Sequence, residues 1–184
     1  MRIEFIEELR KVNRDGIEAL IDYMDVGGFF EAPCSGQYHL AKEGGLVEHS
    51  LNVLNMARRL NKAWGELIDD ETIIIVSLLH DLGKMGDHGK ANYVENLLKD
   101  GKRSVAKPYI TNKDLAYLDH EVRSAMIAER FIHLTEDEEM AILYHNGLYG
   151  NFKYSIQNHE TPLYMILHFS DMWASRVIEK EEDE

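Results

Sequence analysis

The sequence predicts an all-α fold built as a single domain over residues 1–184. Only three prolines occur in the 184 residues, and long stretches place apolar side chains at helical spacing. Apolar residues make up 45% and charged residues 29% of the chain, an ordinary globular mixture. A chain of this length fits one domain and can bury a sizeable core without disulfides. The acidic tail at 179–184 is expected to fray.

The first predicted helical segment covers residues 4–24, where apolar and charged side chains alternate at helical spacing. Gly27-Gly28 is expected to end that segment. Residues 29–45 are predicted to form an ordered loop, because they contain proline, serine and glycine, which favour turns. The next helix is predicted to begin after Gly45 and to run through Leu60.

Acidic residues at 69–71 favour the start of another helix, which would carry the apolar run from Ile73 to Leu79 and end at Gly83. The β-branched residues of that run would also suit a buried strand, and the acidic start and glycine stop favour the helix. Residues 99–112 are polar, so they predict a loop insertion or a small hairpin. A helix is expected to resume at about 121–132.

Two further helix starts have clear local signals. Thr135 followed by Glu138 has the pattern of a capping box and predicts a helix that reaches about His145. Thr161-Pro162 offers an N-cap residue followed by proline at the first helical position. The last helix is therefore predicted to run from there towards Val177, which completes a bundle of helices.

Charge and apolar patterning restrict the partners and the location. The formal net charge is −13, whereas proteins that bind long nucleic acids usually cluster Lys and Arg against phosphates. A small nucleotide fits better, because a metal and one or two basic side chains can neutralise it locally. No apolar stretch approaches the ~20 residues of a membrane span, and charge at the N-terminus argues against a signal peptide. With one cysteine, Cys34, we expect a cytoplasmic protein without membrane contacts, and self-association into a homo-oligomer is left open.

Polar side chains interrupt three largely apolar helical segments, namely His49, the pair His80-Asp81, and Asp171. Burying such a group without a partner costs roughly 1–3 kcal/mol or more. A divalent metal could satisfy two imidazoles and two carboxylates together, and this donor set suits Mn, Fe, Zn, Co or Ni better than Ca, with Mg also compatible. Each residue alone would more often be a hydrogen-bonded core or surface residue, so their joint order carries the prediction.

That order, His49, then His80-Asp81, then Asp171, resembles the H…HD…D signature of the HD superfamily of metal-dependent phosphohydrolases. The segment Gly44–Ser50, GGLVEHS, is similar to a segment of the HD domains of bacterial 3′–5′ exoribonucleases. The segment Leu78–Lys84, LLHDLGK, resembles the widespread LLHDxGK form. The resemblance implies that these four signature residues hold one metal.

The resemblance covers residues 29–176 and implies an all-α domain that hydrolyses phosphate esters or anhydrides. His120 and His145 fit the middle positions of the two-metal members, in which Asp81 would bridge both metals. One-metal members lack that pair of ligands, so one or two metals per chain are expected. The alternative interpretation of the two histidines is that they are helix-end polar residues or contact the substrate without a metal.

Two residues outside the ligand set are predicted to act with Asp81 in catalysis and to bind substrate. Lys84 lies three residues after Asp81 and could neutralise a phosphate oxygen, or it could be a surface lysine near a helix C-terminus. His39 matches a histidine that precedes the GGL segment in exoribonuclease-like domains, so it could touch substrate or protonate a leaving group. The remaining histidines are expected to be structural or solvated: His88, His133, His159 and His168.

Three hypotheses of function follow. The first is an enzyme that hydrolyses a small nucleotide or deoxynucleotide, either a nucleotidase or a nucleoside triphosphate hydrolase. The second is a 3′–5′ exonuclease or cyclic-nucleotide phosphodiesterase, which the acidity of the chain disfavours for long substrates. The third is a metal-binding domain that senses a nucleotide without turnover, which the complete ligand set and Lys84 disfavour. The chain has no Walker A loop, GxGxxG, HExxH or paired CxxC motif.

Overall fold

The computed structural model describes residues 1–180 and confirms the all-α fold class. Within those residues, no helix is both long and apolar enough to cross a bilayer. The α-helices are α1 (Arg2–Leu9), α2 (Ile17–Val26), α3 (Gly45–Ala63), α4 (Asp70–Leu79), α5 (His120–Glu129), α6 (Glu136–Tyr144), α7 (Lys153–Ile156) and α8 (Pro162–Trp173). Two short 3-10 helices (Leu82–Met85 and Gly147–Tyr149) and a π-helical turn (Ala174–Ile178) complete the helical structure of this part of the chain.

The core lies between α3, α4, α6 and α8. Helix α3 packs against both α4 and α8, α6 packs against α8, and the 3-10 helix that follows α4 packs against α5. Every residue of α4 from Ile73 to Leu79 is buried, so this part of the helix is covered on all sides. This burial on every face explains why the periodicity of that segment alone did not distinguish a helix from a strand.

The structure divides the predicted helical segment 4–24 into two helices. The chain leaves helical geometry between α1 and α2, where Gly16 adopts a positive φ of 92°. A Cβ atom at Gly16 would lie 1.8 Å from the carbonyl oxygen of Phe131, so only glycine fits there. The break is therefore enforced by a distant segment, which the local pattern of apolar residues does not report.

Two small antiparallel strand pairs follow α4, and each forms a separate two-stranded sheet. The first pairs β1 (Gly86–Asp87) with β2 (Lys90–Ala91). The second pairs β3 (Tyr93–Glu95) with β4 (Tyr109–Thr111), with Val94 opposite Ile110. The predicted insertion at 99–112 is thus a hairpin, and it begins earlier than expected. The β1–β2 pair was not predicted.

The predicted helix starts are confirmed where a side chain caps them. Thr135 and Glu138 form the expected capping box at α6, and the Thr161 hydroxyl accepts the Tyr164 amide at α8. Helix ends differ by a few residues, since α3 continues to Ala63 and α5 ends at Glu129.

The prediction of a frayed tail from residue 179 is wrong at its first residue. Glu179 is buried, and its amide donates to the Ala174 carbonyl, 2.9 Å away. Because the π-helical turn redirects the chain towards α3, this residue returns to the core instead of leaving it. Residues 181–184 of the predicted tail lie outside the described part of the chain.

Candidate functional site

The structure brings the six residues that the sequence predicted as metal ligands together around the carboxylate of Asp81. They come from five helices or helix ends that are distant in the sequence, and their burial is nearly complete except at Asp171 and His120. The contributing positions are His49 in α3, His80 and Asp81 at the end of α4, His120 at the start of α5, His145 at the end of α6, and Asp171 in α8.

One oxygen of Asp81, Oδ2, faces the histidines of α3 and α4. It lies 3.5 Å from His49 Nε2 and 3.4 Å from His80 Nε2. The two Nε2 atoms are 3.3 Å apart, and His49 Nε2 is 3.2 Å from Asp171 Oδ1. Two imidazoles and two carboxylates therefore converge on one small volume.

The other oxygen, Oδ1, faces the histidines of α5 and α6. It lies 3.3 Å from His120 Nε2 and 3.5 Å from His145 Nε2. Within the described part of the chain, this buried oxygen has no hydrogen-bond partner. An unsatisfied carboxylate oxygen in the interior is costly, so the position calls for a cation or a proton donor that reaches it.

At two of the four histidines, Nδ1 is held by a backbone carbonyl. His80 Nδ1 lies 2.9 Å from the Ser77 carbonyl oxygen, and His145 Nδ1 lies 2.7 Å from the Ile142 carbonyl oxygen. A carbonyl only accepts, so each contact assigns the proton to Nδ1. The Nε2 lone pair of each ring is then directed at Asp81, which is the arrangement that a metal-ligating histidine adopts.

At the other two histidines, a carboxylate lies beside Nδ1, and it has hydrogen-bond geometry only at His49. His49 Nδ1 is 3.0 Å from both oxygens of Glu179, and His120 Nδ1 is 3.1 Å from Glu121 Oε2. Asn146 Nδ2 also lies 3.3 Å from His120 Nε2, and an amide donor there requires that Nε2 carries a lone pair. In a neutral ring with its proton on Nδ1, each of the four histidines would present Nε2 as a ligand atom.

The donor set fits a divalent transition metal. Metal–ligand bonds of about 2.0–2.1 Å place neighbouring donors roughly 3.0–3.4 Å apart, close to the spacings around His49 and His80. Burial lowers the pKa of His80 and favours its neutral, ligating form. At His49 burial also opposes the charge, but the acidic groups of Cys34, Asp171 and Glu179 outweigh it and hold the pKa well above its ordinary value. A metal at His49 would therefore displace a proton.

Lys84 is not the surface lysine of the alternative interpretation, since its side chain is only 14% exposed. Its ammonium donates to Asp81 Oδ2 over 2.6 Å and lies 3.8 Å from the thiol of Cys34. Burial disfavours the ammonium, yet the negative charge of Asp81 holds the pKa of Lys84 well above its usual value. The side chain thus stays cationic and lines the cleft that leads to Asp81.

His39 lies in the same cleft, beside His49, with ring centroids 5.2 Å apart. Its Nε2 is 3.3 Å from Cys34 Sγ and 3.9 Å from Glu179 Oε2. Burial, together with the positive charge of His49 and Lys84, lowers the pKa of His39 to about 4. The ring is consequently neutral near pH 7 and can exchange hydrogen bonds with a bound molecule.

The cleft beside the histidine cluster has a volume of about 360 Å³, which is in the range of small-molecule sites. Its rim contains Tyr38 and Tyr149, both largely exposed, and the guanidinium of Arg176 lies 4.4 Å from the centroid of the Tyr149 ring. Two cations, Lys84 and Arg176, and two aromatic rings therefore surround an opening that ends at Asp171 and His145.

Sequence reasoning missed several residues of this site. Glu179 was assigned to a frayed tail, and Cys34 was considered only for disulfides. His168, expected to be structural or solvated, lines the cleft and holds the His145 carbonyl oxygen 2.7 Å from its Nδ1. Asn146 was passed over although it directly follows His145. Adjacency to a predicted ligand could have identified Asn146, whereas the other contacts join segments far apart in the sequence.

Comparisons with known proteins agree with this arrangement. The family model described as HD domain matches residues 46–171, which is more than half of the chain. A relative from Methanocaldococcus jannaschii, the dihydroneopterin 2′,3′-cyclic phosphate phosphodiesterase, is 41% identical over 58 residues. That match covers 29% of this chain and 23% of the relative, so the chain spans less than a quarter of the relative's length. No solved structure matches the chain significantly.

Proposed function

The chain belongs to the HD family, and on that premise we propose that it is a metal-dependent phosphohydrolase that acts on a small nucleotide or deoxynucleotide. It would hydrolyse a phosphoester or phosphoanhydride bond of a nucleoside mono- or triphosphate. The observation that supports this most strongly is the convergence of four imidazole Nε2 atoms on the two oxygens of one buried carboxylate, Asp81.

We assign the ligands in two groups that share Asp81. His49, His80, Asp81 and Asp171 would hold one divalent metal, for which Mn, Fe, Zn, Co or Ni suits the mixture of nitrogen and oxygen donors. A second metal would be held by Asp81 and the remaining two histidines. The orphaned Oδ1 supports this second group, because no protein donor in the described part of the chain satisfies it.

The protein's own residues have separate roles around that centre. When bound, a divalent metal lowers the pKa of water and offsets phosphate charge. Lys84 supplies a fixed ammonium at the cleft, positioned to contact a phosphate oxygen. Neutral His39 faces the cleft from the opposite loop and can donate a hydrogen bond towards a leaving group. Tyr149 and Tyr38 offer rings for a base or another planar group.

The size and charge of the site support a small substrate. The cleft is compact, and the −13 net charge disfavours a long polyanion that must track along the surface. The cyclic phosphodiester of a mononucleotide is the second candidate, because the relative from Methanocaldococcus jannaschii is named for a 2′,3′-cyclic phosphate substrate. Both candidates place one phosphate at the metals and one planar group at the rim.

A substrate screen of the Mn²⁺-loaded protein tests the proposal. Nucleoside monophosphates, triphosphates, 2′,3′- and 3′,5′-cyclic phosphates and a ~20-residue oligonucleotide would be compared by phosphate release and by chromatography of products. We expect turnover of a mononucleotide class to exceed turnover of the oligonucleotide. His80→Ala, which removes a predicted ligand, serves as the inactive control.

The other outcomes separate the competing functions. Preferred trimming of the oligonucleotide from its 3′ end would favour the exonuclease. Tight nucleotide binding with metal bound but without any product would favour the sensing domain. Activity that survives in His80→Ala at the wild-type level would remove the metal centre from the mechanism altogether.

A further inference from the structure

The C-terminal end of α8 returns the chain to the candidate metal centre through an unusual turn. Residues Ala174–Ile178 form a π-helical turn directly after α8, and the Ser175 hydroxyl donates to the Asp171 carbonyl over 2.9 Å. Single π turns are rare in proteins and are frequent at functional sites. This turn delivers the side chain of Glu179 to the far side of His49.

The carboxylate of Glu179 is held there by specific contacts. Its side chain is 1% exposed, both of its oxygens lie 3.0 Å from His49 Nδ1, and Asn52 Nδ2 donates to Oε1 over 3.0 Å. A buried carboxylate is costly unless it is paired and hydrogen-bonded. The fold therefore places a desolvated charge at this position, where its hydrogen bonds are to His49 and Asn52 and the ring of His39 lies 3.9 Å away.

We propose that Glu179 is a positioning residue of the metal centre, which accepts the Nδ1 proton of His49 and aims Nε2 at the metal. Outer carboxylates of this kind fix the tautomer and ring orientation of a metal-ligating histidine and raise its basicity. The inference rests on the proposed function, because it requires that His49 is a ligand. Glu179 itself is not assigned as a ligand or as a catalytic residue.

The segment from α8 to Glu179 contacts both nitrogens of the same imidazole. Asp171 Oδ1 lies 3.2 Å from His49 Nε2, and eight residues later Glu179 lies 3.0 Å from Nδ1. This segment thus supplies one predicted metal ligand, Asp171, and the carboxylate that orients a second predicted ligand, His49. A change in the π turn would consequently displace both contacts at once.

The partners of the four Nδ1 atoms differ across the centre. Backbone carbonyls hold His80 and His145, whereas the Glu179 carboxylate holds His49. At His120, the Glu121 carboxylate lies 3.1 Å from Nδ1 without hydrogen-bond geometry. Hydrogen bonds to an ionised acceptor are roughly twice as strong as neutral ones. We therefore expect the Glu179 contact to contribute more to metal binding by His49 than a carbonyl contact contributes to metal binding by His80 or His145.

Titration calorimetry of the metal-free protein with Mn²⁺ tests this role. Glu179→Ala should weaken Mn²⁺ binding by roughly 10- to 100-fold, and the isosteric Glu179→Gln should weaken it less, because its amide oxygen still accepts the Nδ1 proton. Glu43→Gln removes one carboxylate from an exposed position and should bind like wild type. Asn52→Ala, which leaves Glu179 in place but unsupported, should lie between wild type and Glu179→Ala.

The melting temperature of the metal-free variants separates positioning from general destabilisation. We expect Glu179→Gln to melt close to wild type while its Mn²⁺ affinity falls. Mn²⁺ binding by Glu179→Ala within about threefold of wild type would overturn the inference. If that variant does not fold, Glu179→Gln and Asn52→Ala take its place, and wild-type Mn²⁺ affinity in both of them would overturn the inference. If wild type itself does not bind Mn²⁺, the proposed function fails and this inference fails with it, which is a distinguishable result.

Discussion

Two fully buried carboxylates, Glu138 and Asp81, have very different surroundings. Glu138 receives both guanidinium nitrogens of Arg14, at 2.7 and 2.8 Å, and the amide of Thr135 at 2.8 Å. Asp81 has one ammonium contact, from Lys84, on Oδ2, and four imidazole Nε2 atoms surround its two oxygens at 3.3–3.5 Å. The first carboxylate is satisfied by the protein alone.

The contrast distinguishes a structural charge from a functional one. At Glu138 three protein donors reach the two carboxylate oxygens and neither oxygen lacks a partner, so the pair joins α6 to the loop before α2 and needs nothing further. At Asp81 the Lys84 ammonium contacts only Oδ2, and Oδ1 has no hydrogen-bond partner in the described part of the chain, so a further cation or proton donor is required there. Glu138 and Asp81 do not differ in burial or charge. They differ in whether protein donors satisfy both carboxylate oxygens.

Removal of Asp81 should have the largest effect on activity. Asp81→Ala deletes the group that both predicted metal positions share, so we expect metal content to fall and hydrolysis to drop by roughly 10³-fold or more, since a catalytic metal is worth several kcal/mol. Metal analysis and phosphate release on the best nucleotide measure this. The matched control is Glu138→Gln, which should keep metal and activity in its folded fraction. Full metal occupancy in Asp81→Ala would contradict the comparison.

Removal of Arg14 should have the largest effect on stability. Arg14→Ala leaves Glu138 buried without its partner, and breaking a buried pair in this way costs roughly 3–5 kcal/mol. Urea unfolding of the metal-free protein measures the change. Arg10 makes a comparable bidentate contact with Glu18 at the exposed surface, so Arg10→Ala should leave the midpoint of urea unfolding almost unchanged. Equal losses in both variants would show that burial does not set the strength of these pairs.

Lys84 sharpens the comparison from the catalytic side. Lys84→Ala should keep the metal and the helical circular dichroism signal but lose about 10²- to 10³-fold in kcat/KM, the usual effect of removing one oriented electrostatic contact. Lys84→Arg should restore only part of the rate, because the two cations differ in shape and donor geometry. Near-normal kcat and KM for Lys84→Ala would limit the residue to its ion pair with Asp81.

The smallest expected effect concerns Asp87, a buried carboxylate with protein donors like Glu138. Burial opposes its charge, but hydrogen bonds from Arg130 and Tyr23 lower the pKa of Asp87 from 3.8 to about 2. A lowered folded-state pKa stabilises the fold fully above pH 3.8, and that contribution is lost as pH falls towards 2. The stability difference between wild type and Asp87→Asn should therefore shrink over that interval, as followed by urea midpoints. A difference independent of pH would contradict the assignment.

The fold was predictable where the signal is local. Helix starts at Thr135 and Thr161 follow from a capping side chain and its partner within one turn, and both were identified. The break at Gly16 was not, because it depends on the backbone of Phe131, over a hundred residues away. The β1–β2 pair was also missed, since two-residue strands carry almost no periodic pattern.

The same division applies to the site. Polar residues in apolar segments drew attention to His49, the pair His80-Asp81 and Asp171, whereas His120 and His145 were added by the resemblance to two-metal HD members. The groups that orient them were not predictable, since His80 and His145 rely on backbone carbonyls and His49 relies on a glutamate in an acidic tail. The sequence contains 33 acidic residues, and nothing in the local sequence distinguishes Glu179 from the others.

Metal stoichiometry tests the central claim most directly. Equilibrium dialysis of the metal-free protein against excess Mn²⁺, followed by elemental analysis, should give about two metals per chain in wild type and about one in the double variant His120→Ala/His145→Ala. Asp81→Ala should retain little or none. A wild type that binds no metal, or three proteins that bind the same amount, would contradict the claim that the histidines around Asp81 form a metal centre.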